Sequence, residues 1–441
     1  MHPLRLVPTS PSLRRARSEP PTAMALAFDP FLPDDDPYPV YKRLRDEAPV
    51  HWSPERELFS VTRYDDVMHV LKTPEVFSSR AMFTMLMAGG RERPPLTWPA
   101  IKFIAKMAWR TGQNPFEFAT ARTLISEDGE RHAGLRAIVN RGFTPRRIAA
   151  WEPRAREIVE AAMGPLRRGE PFDVVGDLAI PLPVTIIAEM LGIPLERRAD
   201  FKRWSDLIVE VATGPGRDDR FAPRFRDAFI EMMIYLIGLA RERRAAPHDD
   251  LISLIVAEQA GDAALTDREV FHFVMLLLVA GNETTTNLIG NLTHALLEHP
   301  EVARRVAEDP SLVPALVEEG LRYDTPVQVV FRNVVAETEI RGTRLPPGAK
   351  VAVFLGSANR DERRFADPDR LDLDREPQAF PGFGFGKHFC LGASLARLEA
   401  RVAFEALAPW LPRLRSAESH ITRIDSFLVR GPKRLAVRPA A

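Results

Sequence analysis

Stretches of apolar residues recurring at helical spacing dominate the chain, separated by Pro and Gly. No fixed-period repeat underlies them. Short runs of β-prone residues interrupt the pattern near the N-terminus, in HWSPERELFSVTRY, and again around residues 327–354 and 421–438. The pattern predicts a mainly α fold with a small β region. No internal linker divides it, so residues 24–441 are expected to form one domain. Two regions are less regular. Residues 80–123 mix Met, Phe and Trp with Gly and Pro, and their apolar positions predict no long clean helix. TGPGRDD, residues 213–219, reads as a turn between two helical patterns.

The longest helical pattern starts at Thr266, where T-D-R-E forms a capping box: Thr266 accepts from a first-turn N–H while Glu269 reaches back. It runs to His299, before Pro300, a length of roughly 50 Å. From Val270 to Ala280 only His272 is polar, which predicts burial nearly all round. Then come Ala280-Gly-Asn-Glu-Thr-Thr-Thr-Asn287. Gly costs about 1 kcal/mol inside a helix, and a buried carboxylate costs several kcal/mol unless paired or solvated. A polar contact between helices is one explanation. A kink lined by a proton-handling acid and hydroxyl is the other.

Composition narrows the function. Apolar residues make up 45% and charged residues 27%, ordinary for a globular protein. Lys+Arg and Asp+Glu balance at 60 each, so no global field recruits nucleic acid or an anionic membrane. One cysteine cannot form an internal disulfide, which suits a reducing cytoplasm. No segment reaches the ~18 apolar residues needed to cross a bilayer. Residues 1–23 are rich in Pro, Ser and Arg without an apolar core, and are expected to be a disordered tail, with Met24 as an alternative start. A cytoplasmic protein without a membrane anchor is expected.

The single cysteine, Cys390, lies in FGFGKHFCLG, Phe383 to Gly392. Gly384, Gly386 and Gly392 let the backbone pass close to a bulky group. The following ASLARLEARVAFEAL is a strong helical pattern, so Cys390 falls just before or at a helix N-terminus, where N–H groups favour thiolate over thiol. Such a sulfur suits a nucleophile or a metal ligand. Redox exchange would need a second cysteine, and zinc would need further ligands at suitable spacing.

FGFGKHFCLGASLAR resembles the haem-binding signature of the cytochrome P450 monooxygenases, F-x-x-G-x-x-x-C-x-G. Other segments support the resemblance in order along the chain. Glu319-Gly-Leu-Arg322 matches the family's E-x-x-R helix, whose third partner, an arginine from a later loop, would be Arg370 in Pro368-Asp-Arg-Leu371. Leu371 stands where Phe is common, and Glu362 where Pro is common. Ala280 to Thr285 matches A/G-G-x-D/E-T-T, which assigns Glu283 and Thr284 to an acid–alcohol pair beside the oxygen site. DGERHAGLR resembles the H-x-x-x-R helix whose His132 and Arg136 hold haem propionates, with Arg332 and His388 as further donors.

The resemblance covers roughly residues 28–438. It implies the P450 fold, with haem b (iron protoporphyrin IX) between the long kinked helix and a cysteine loop that includes Phe383 and Gly386, and Cys390 as axial iron ligand. It implies that O₂ is reductively activated and that one oxygen atom enters a lipophilic small molecule, most simply as a hydroxylation. Peroxide-using or carrier relatives would not need Glu283 and Thr284. The expected pocket includes Leu276, Val279, Ala280, Val327 and Val329, with residues 80–123 as a lid. No glycine-rich dinucleotide fingerprint follows a predicted strand, so electrons are expected from a separate ferredoxin- or flavodoxin-type donor. It would dock on a basic patch of Lys387, Arg141, Arg146 and Arg147.

Overall fold

The computed structural model describes residues 28–439, apart from 33, 81, 83–84, 86–96, 115–122, 214–222, 258 and 261–262. The expected tail and most of TGPGRDD lie outside the described residues. The β-prone runs build a five-stranded sheet from β1 (Val50–Ser53), β2 (Leu58–Val61), β3 (Phe77–Ser78), β4 (Val329–Val334) and β5 (Lys350–Phe354), in the order β1-β2-β5-β4-β3. Its registers are antiparallel for Val50 against Val61, parallel for Lys350 against Leu58, and antiparallel for Lys350 against Asn333. In the predicted C-terminal β region only Ala436–Pro439 forms a regular strand, paired with Leu414–Ser416 and Phe172–Asp173.

The helices that shape the site are α1 (Trp98–Thr111), α2 (Gly129–Asn140), α3 (Glu152–Ala162), α4 (Pro181–Met190), α5 (Arg198–Thr213), α6 (Pro223–Ala245), α7 (Asp267–Glu298), α8 (Val313–Tyr323) and α9 (Ala393–Leu407). The capping box forms as the sequence predicts, and α7 ends at His299. This helix runs through the centre, packed against α4, α5, α6, α8 and α9. Its first half is not buried all round: Val270 to Val274 are buried, whereas Met275 and Leu276 are half-buried and Ala280 is exposed. The polar segment does not interrupt the helix. Thr284 donates its hydroxyl to the Ala280 carbonyl at 2.8 Å, one turn back, as hydroxyl residues inside helices commonly do.

The region 80–123 is more regular than its sequence suggests. Trp98–Thr111 forms a helix with Thr97 as N-cap and Gly112 as C-cap at φ +67°. Helix α1 rests on α6, with Phe103 edge-on to Phe229 at 6.0 Å and Lys106 paired with Asp227 at 2.6 Å. The rest of that region lies largely outside the described residues.

The E-x-x-R pair is buried, with side chains 5% and 2% exposed, and bidentate: Arg322 donates to the two Glu319 oxygens at 2.7 and 2.8 Å. Arg370 is not the third partner. It gives only its carbonyl, to Arg322 at 3.1 Å, and its side chain is exposed. Arg375 fills that place, donating to Glu319 at 3.2 Å and to the carbonyls of Ala366, Asp367 and Arg370. The tight turns between 367 and 375 carry Arg370 outward and bring Arg375 back under α8. The network therefore fixes the segment that leads into the cysteine loop.

Candidate active site

The cysteine loop is shaped by two left-handed glycines, Gly384 and Gly386, both at φ +69°. At Gly386 a Cβ would also meet the Leu71 carbonyl at 2.9 Å, so any side chain there would push the loop off its support. Cys390 donates its N–H to the Phe383 carbonyl at 2.9 Å and lies two residues before Gly392, the N-cap of α9. The N–H groups of Gly392 and Ala393 bond the sulfur, as the position before α9 predicts. Burial nevertheless dominates and raises the thiol above its ordinary range, against the pull of those N–H groups and of Arg136 and Arg397. Those N–H groups pull towards thiolate, as the sequence reading expects, while burial opposes them.

Cys390 opens into a cavity with about 1340 Å³ of empty space, part of it open to solvent. Facing it across the cavity is one stripe of α7: Leu276 and Leu277, Ala280 and Gly281, Thr284 and Thr285, then Leu288. The 3.6-residue period explains which expected residues are here. Leu276, Ala280 and Thr284 share the stripe. Val279 and Glu283, one turn apart on a neighbouring face, do not line the cavity. Glu283 instead lies within the field of Lys202 and Asp206 on α5; burial raises its carboxyl, with Lys202 opposing and Asp206 adding to the rise. Val327 lines the cavity, but Val329 does not. Val329 is fully buried in a separate cluster with Phe331 and Phe427, and Val330 takes its place. Strand alternation begins only at Val329, so the parity counted from Val327 does not carry into β4.

The cavity's polar end collects the expected donors. His132 and Arg136 on α2 and His388 in the loop all line it. The rings of His132 and His388 lie 4.3 Å apart, and His388 meets Asp128 at 3.3 Å. Asp128 also accepts from the Ser78 hydroxyl and the Ser79 N–H; these bonds outweigh its burial and hold it at about 2. His132 is buried, its Nε2 has no partner among the described residues, and burial together with the charges of His388 and Arg136 lowers it to about 4. Arg332 is not on the cavity wall. It is buried close by, donates to the Phe331 carbonyl at 2.8 Å, and is lowered to about 10 by burial, with Asp128 opposing. Phe383 lines the wall beneath the Arg397 guanidinium, 4.6 Å away, whereas Gly386 supports the loop from behind.

The donor set suits a haem. Buried donors outnumber acceptors at one end, where Asp128 is already engaged, so two further carboxylates would find partners. The Cys390 sulfur lines the same cavity, and most of the remaining wall is apolar. The basic residues expected to form a docking patch, Lys387, Arg141, Arg146 and Arg147, are exposed, and the short helix Pro145–Ala149 that carries Arg146 and Arg147 packs against α9.

Sequence reasoning missed an acid on the cavity wall, Glu399 on α9. It is 1% exposed and is pushed by burial to about 8, with the Thr285 hydroxyl opposing. A signal was present. Glu399 falls three and four residues after Ala396 and Leu395, on the inward face of α9.

The family profile of Cytochrome P450 matches residues 110–408. Cytochrome P450 109 from Bacillus spizizenii is 35% identical over 407 residues, covering 91% of each chain. Erythromycin C-12 hydroxylase from Saccharopolyspora erythraea is 37% identical over 84% of this chain and 86% of its own. The crystal structure of CYP109E1 from Bacillus megaterium in complex with testosterone superposes with a TM-score of 0.76 at 34% identity, over 92% of this chain and all of that one.

Proposed function

The chain belongs to the cytochrome P450 family of haem monooxygenases, and from that premise we propose that it hydroxylates a lipophilic small molecule with O₂ and electrons from a ferredoxin- or flavodoxin-type donor. The observation that carries this reading is the placement of Cys390 and Thr284 on opposite walls of one largely apolar cavity. The cofactor is haem b. When bound, it supplies the iron at which O₂ is reduced.

The protein's own groups do the rest. Cys390 Sγ would hold the iron. His132 Nε2 and Arg136 would hold the propionates, with Arg332 buried behind them, and His388 would orient this end through Asp128. Thr284 gives its proton to the Ala280 carbonyl, so its oxygen can accept a hydrogen bond from water inside the cavity. Burial raises the Glu283 carboxyl on the α5 side, and from there it would relay protons through water towards Thr284. Leu276, Ala280, Val327 and Val330 exclude bulk water and favour an apolar substrate. That agrees with a macrolide for the relative named erythromycin hydroxylase and testosterone in the superposed structure. No helix among the described residues is long and apolar enough to cross a membrane. We place the enzyme in the cytoplasm, where its lone thiol stays reduced.

The test is the reduced CO complex of the purified protein, followed by turnover under isotopically labelled O₂. A thiolate-type Soret band, lost in Cys390→His, and one labelled atom in the product are expected. A band of imidazole type in the wild type, or unlabelled product, would refute the reading.

A further inference from the structure

Helix α1 presents an apolar face to solvent. Trp98 is 67% exposed and Trp109 84%, the two most exposed large apolar side chains among the described residues. They are eleven residues apart, three turns and about 20°, so both stand on one stripe about 16 Å long. Ile101 and Ala105 share that stripe and are exposed as well. The opposite side anchors the helix: Ala100 and Met107 are buried, and Phe103 meets Phe229 on α6. The exposed tryptophans are therefore not what holds α1 in place.

The charge on this helix has one sign. It contains no Asp or Glu, and Lys102, Lys106 and Arg110, all exposed, run along one flank of the tryptophan stripe. Lys102 leans over the Trp98 ring at 5.8 Å. Lys106 is paired with Asp227 on α6, and Lys102 and Arg110 extend the positive flank to either side of it. On a chain of zero net charge, this is a local field beside an apolar stripe.

Anchors of a protein interface sit in packed pockets ringed by neutral contacts, whereas these indoles stand out from a single helix. An indole is favoured at the headgroup level of a bilayer, where its ring is half in hydrocarbon and its N–H stays wet. Basic residues beside it meet anionic lipids. We propose that α1 rests on anionic phospholipid membranes, in the plane of the headgroups, with Trp98, Ile101 and Trp109 inserted and Lys102 and Arg110 on lipid phosphates. This is contact with a bilayer surface and not a crossing, for which no helix among the described residues is long and apolar enough. The inference goes beyond the haem reading and does not depend on it. Lipophilic compounds concentrate in bilayers, so the contact would hold the protein where a substrate of that class is most abundant.

The test sediments the full haem-loaded chain with vesicles of phosphatidylcholine mixed with phosphatidylglycerol, and with vesicles of phosphatidylcholine alone. Stronger binding to the mixed vesicles is expected, weakening as salt rises. Trp98→Ala with Trp109→Ala should weaken it about a hundredfold, through loss of two inserted indoles. Lys102→Glu with Arg110→Glu should weaken it about 25-fold or more, about fivefold for each basic residue removed from an anionic surface. Lipids brominated in their acyl chains should quench part of the wild-type tryptophan emission, and that part should be missing in the double tryptophan variant. Should either double variant fail to fold, Trp109→Ala and Arg110→Glu alone decide, with losses of about tenfold and fivefold. Absence of wild-type binding to the mixed vesicles, or binding that the variants retain within about twofold, overturns the proposal. Wild-type dimers abolished by the tryptophan changes, without vesicle binding, would overturn it in favour of a second copy of the chain on this face.

Discussion

Replacing Arg375 and Arg370 by alanine, one at a time, separates what the structure assigns from what the family pattern suggests. Arg375 is 11% exposed in its side chain and donates to Glu319 and to three carbonyls between residues 366 and 370. Net, a hydrogen bond to a charged group is worth about 1.5–3 kcal/mol. Glu319 keeps both Arg322 bonds and the Asp372 N–H at 3.0 Å, so its charge stays compensated. Arg375→Ala should therefore cost about 2–3 kcal/mol. Arg370→Ala removes an exposed side chain and leaves the carbonyl in place, a change within about 0.5 kcal/mol. Glu319→Gln sets the upper bound, about 3–5 kcal/mol, because it leaves two buried guanidinium groups with one neutral partner. Urea unfolding at neutral pH, read at constant slope, gives all three values. An Arg370→Ala variant as destabilised as Arg375→Ala would refute the assignment.

Glu399 raised from 4.5 to about 8 makes the folded state bind the extra proton between those values, so wild-type stability should fall as pH rises through that window. At about 1.36 kcal/mol per pH unit the fall reaches at most about 5 kcal/mol; Glu399→Gln should lack this slope in urea unfolding, and parallel pH profiles would contradict it. Thr284→Ala should retain haem and substrate binding but divert reducing equivalents to peroxide, with product per electron down ~10²-fold; an unchanged ratio removes Thr284 from the chemistry. His132→Leu should speed haem loss to an acceptor protein, since it deletes the buried Nε2 donor, and an unchanged loss rate would leave propionate binding to Arg136 and Arg332. Arg146→Glu with Arg147→Glu should slow reduction by an acidic donor at low salt and leave the CO spectrum intact; reduction indifferent to both charge and salt would place docking elsewhere.

Local chemistry was legible in the sequence wherever neighbouring residues define it. The Thr266–Glu269 box, the Glu319–Arg322 spacing and the glycines around Cys390 are contacts within one turn or one loop, and each forms as read. Contacts that depend on how a loop folds back were not legible. Arg370 and Arg375 both follow α8 in a charged, turn-rich segment, and only the path of the backbone decides which returns to Glu319. The helix Trp98–Thr111 escaped notice because Pro99 follows Trp98, although proline at the first helical positions is favourable.

The site itself shows where a helical count suffices and where it fails. Counting along α7 in steps of four from Leu276 reaches Ala280, Thr284 and Leu288, all on the cavity, and leaves Val279 and Glu283 on another face. The motif A-G-N-E-T-T groups Glu283 with Thr284 because they adjoin in sequence, yet adjacent residues on a helix point about 100° apart. A proton from Glu283 must then reach Thr284 through intervening water rather than directly. The stripe offers hydroxyls at Thr284 and Thr285. The facing wall, α9, offers Glu399 beside Leu395 and Ala396. The same count applied to the helix after the cysteine puts that acid on the cavity that Thr285 also lines, a pairing that neither motif contains by itself.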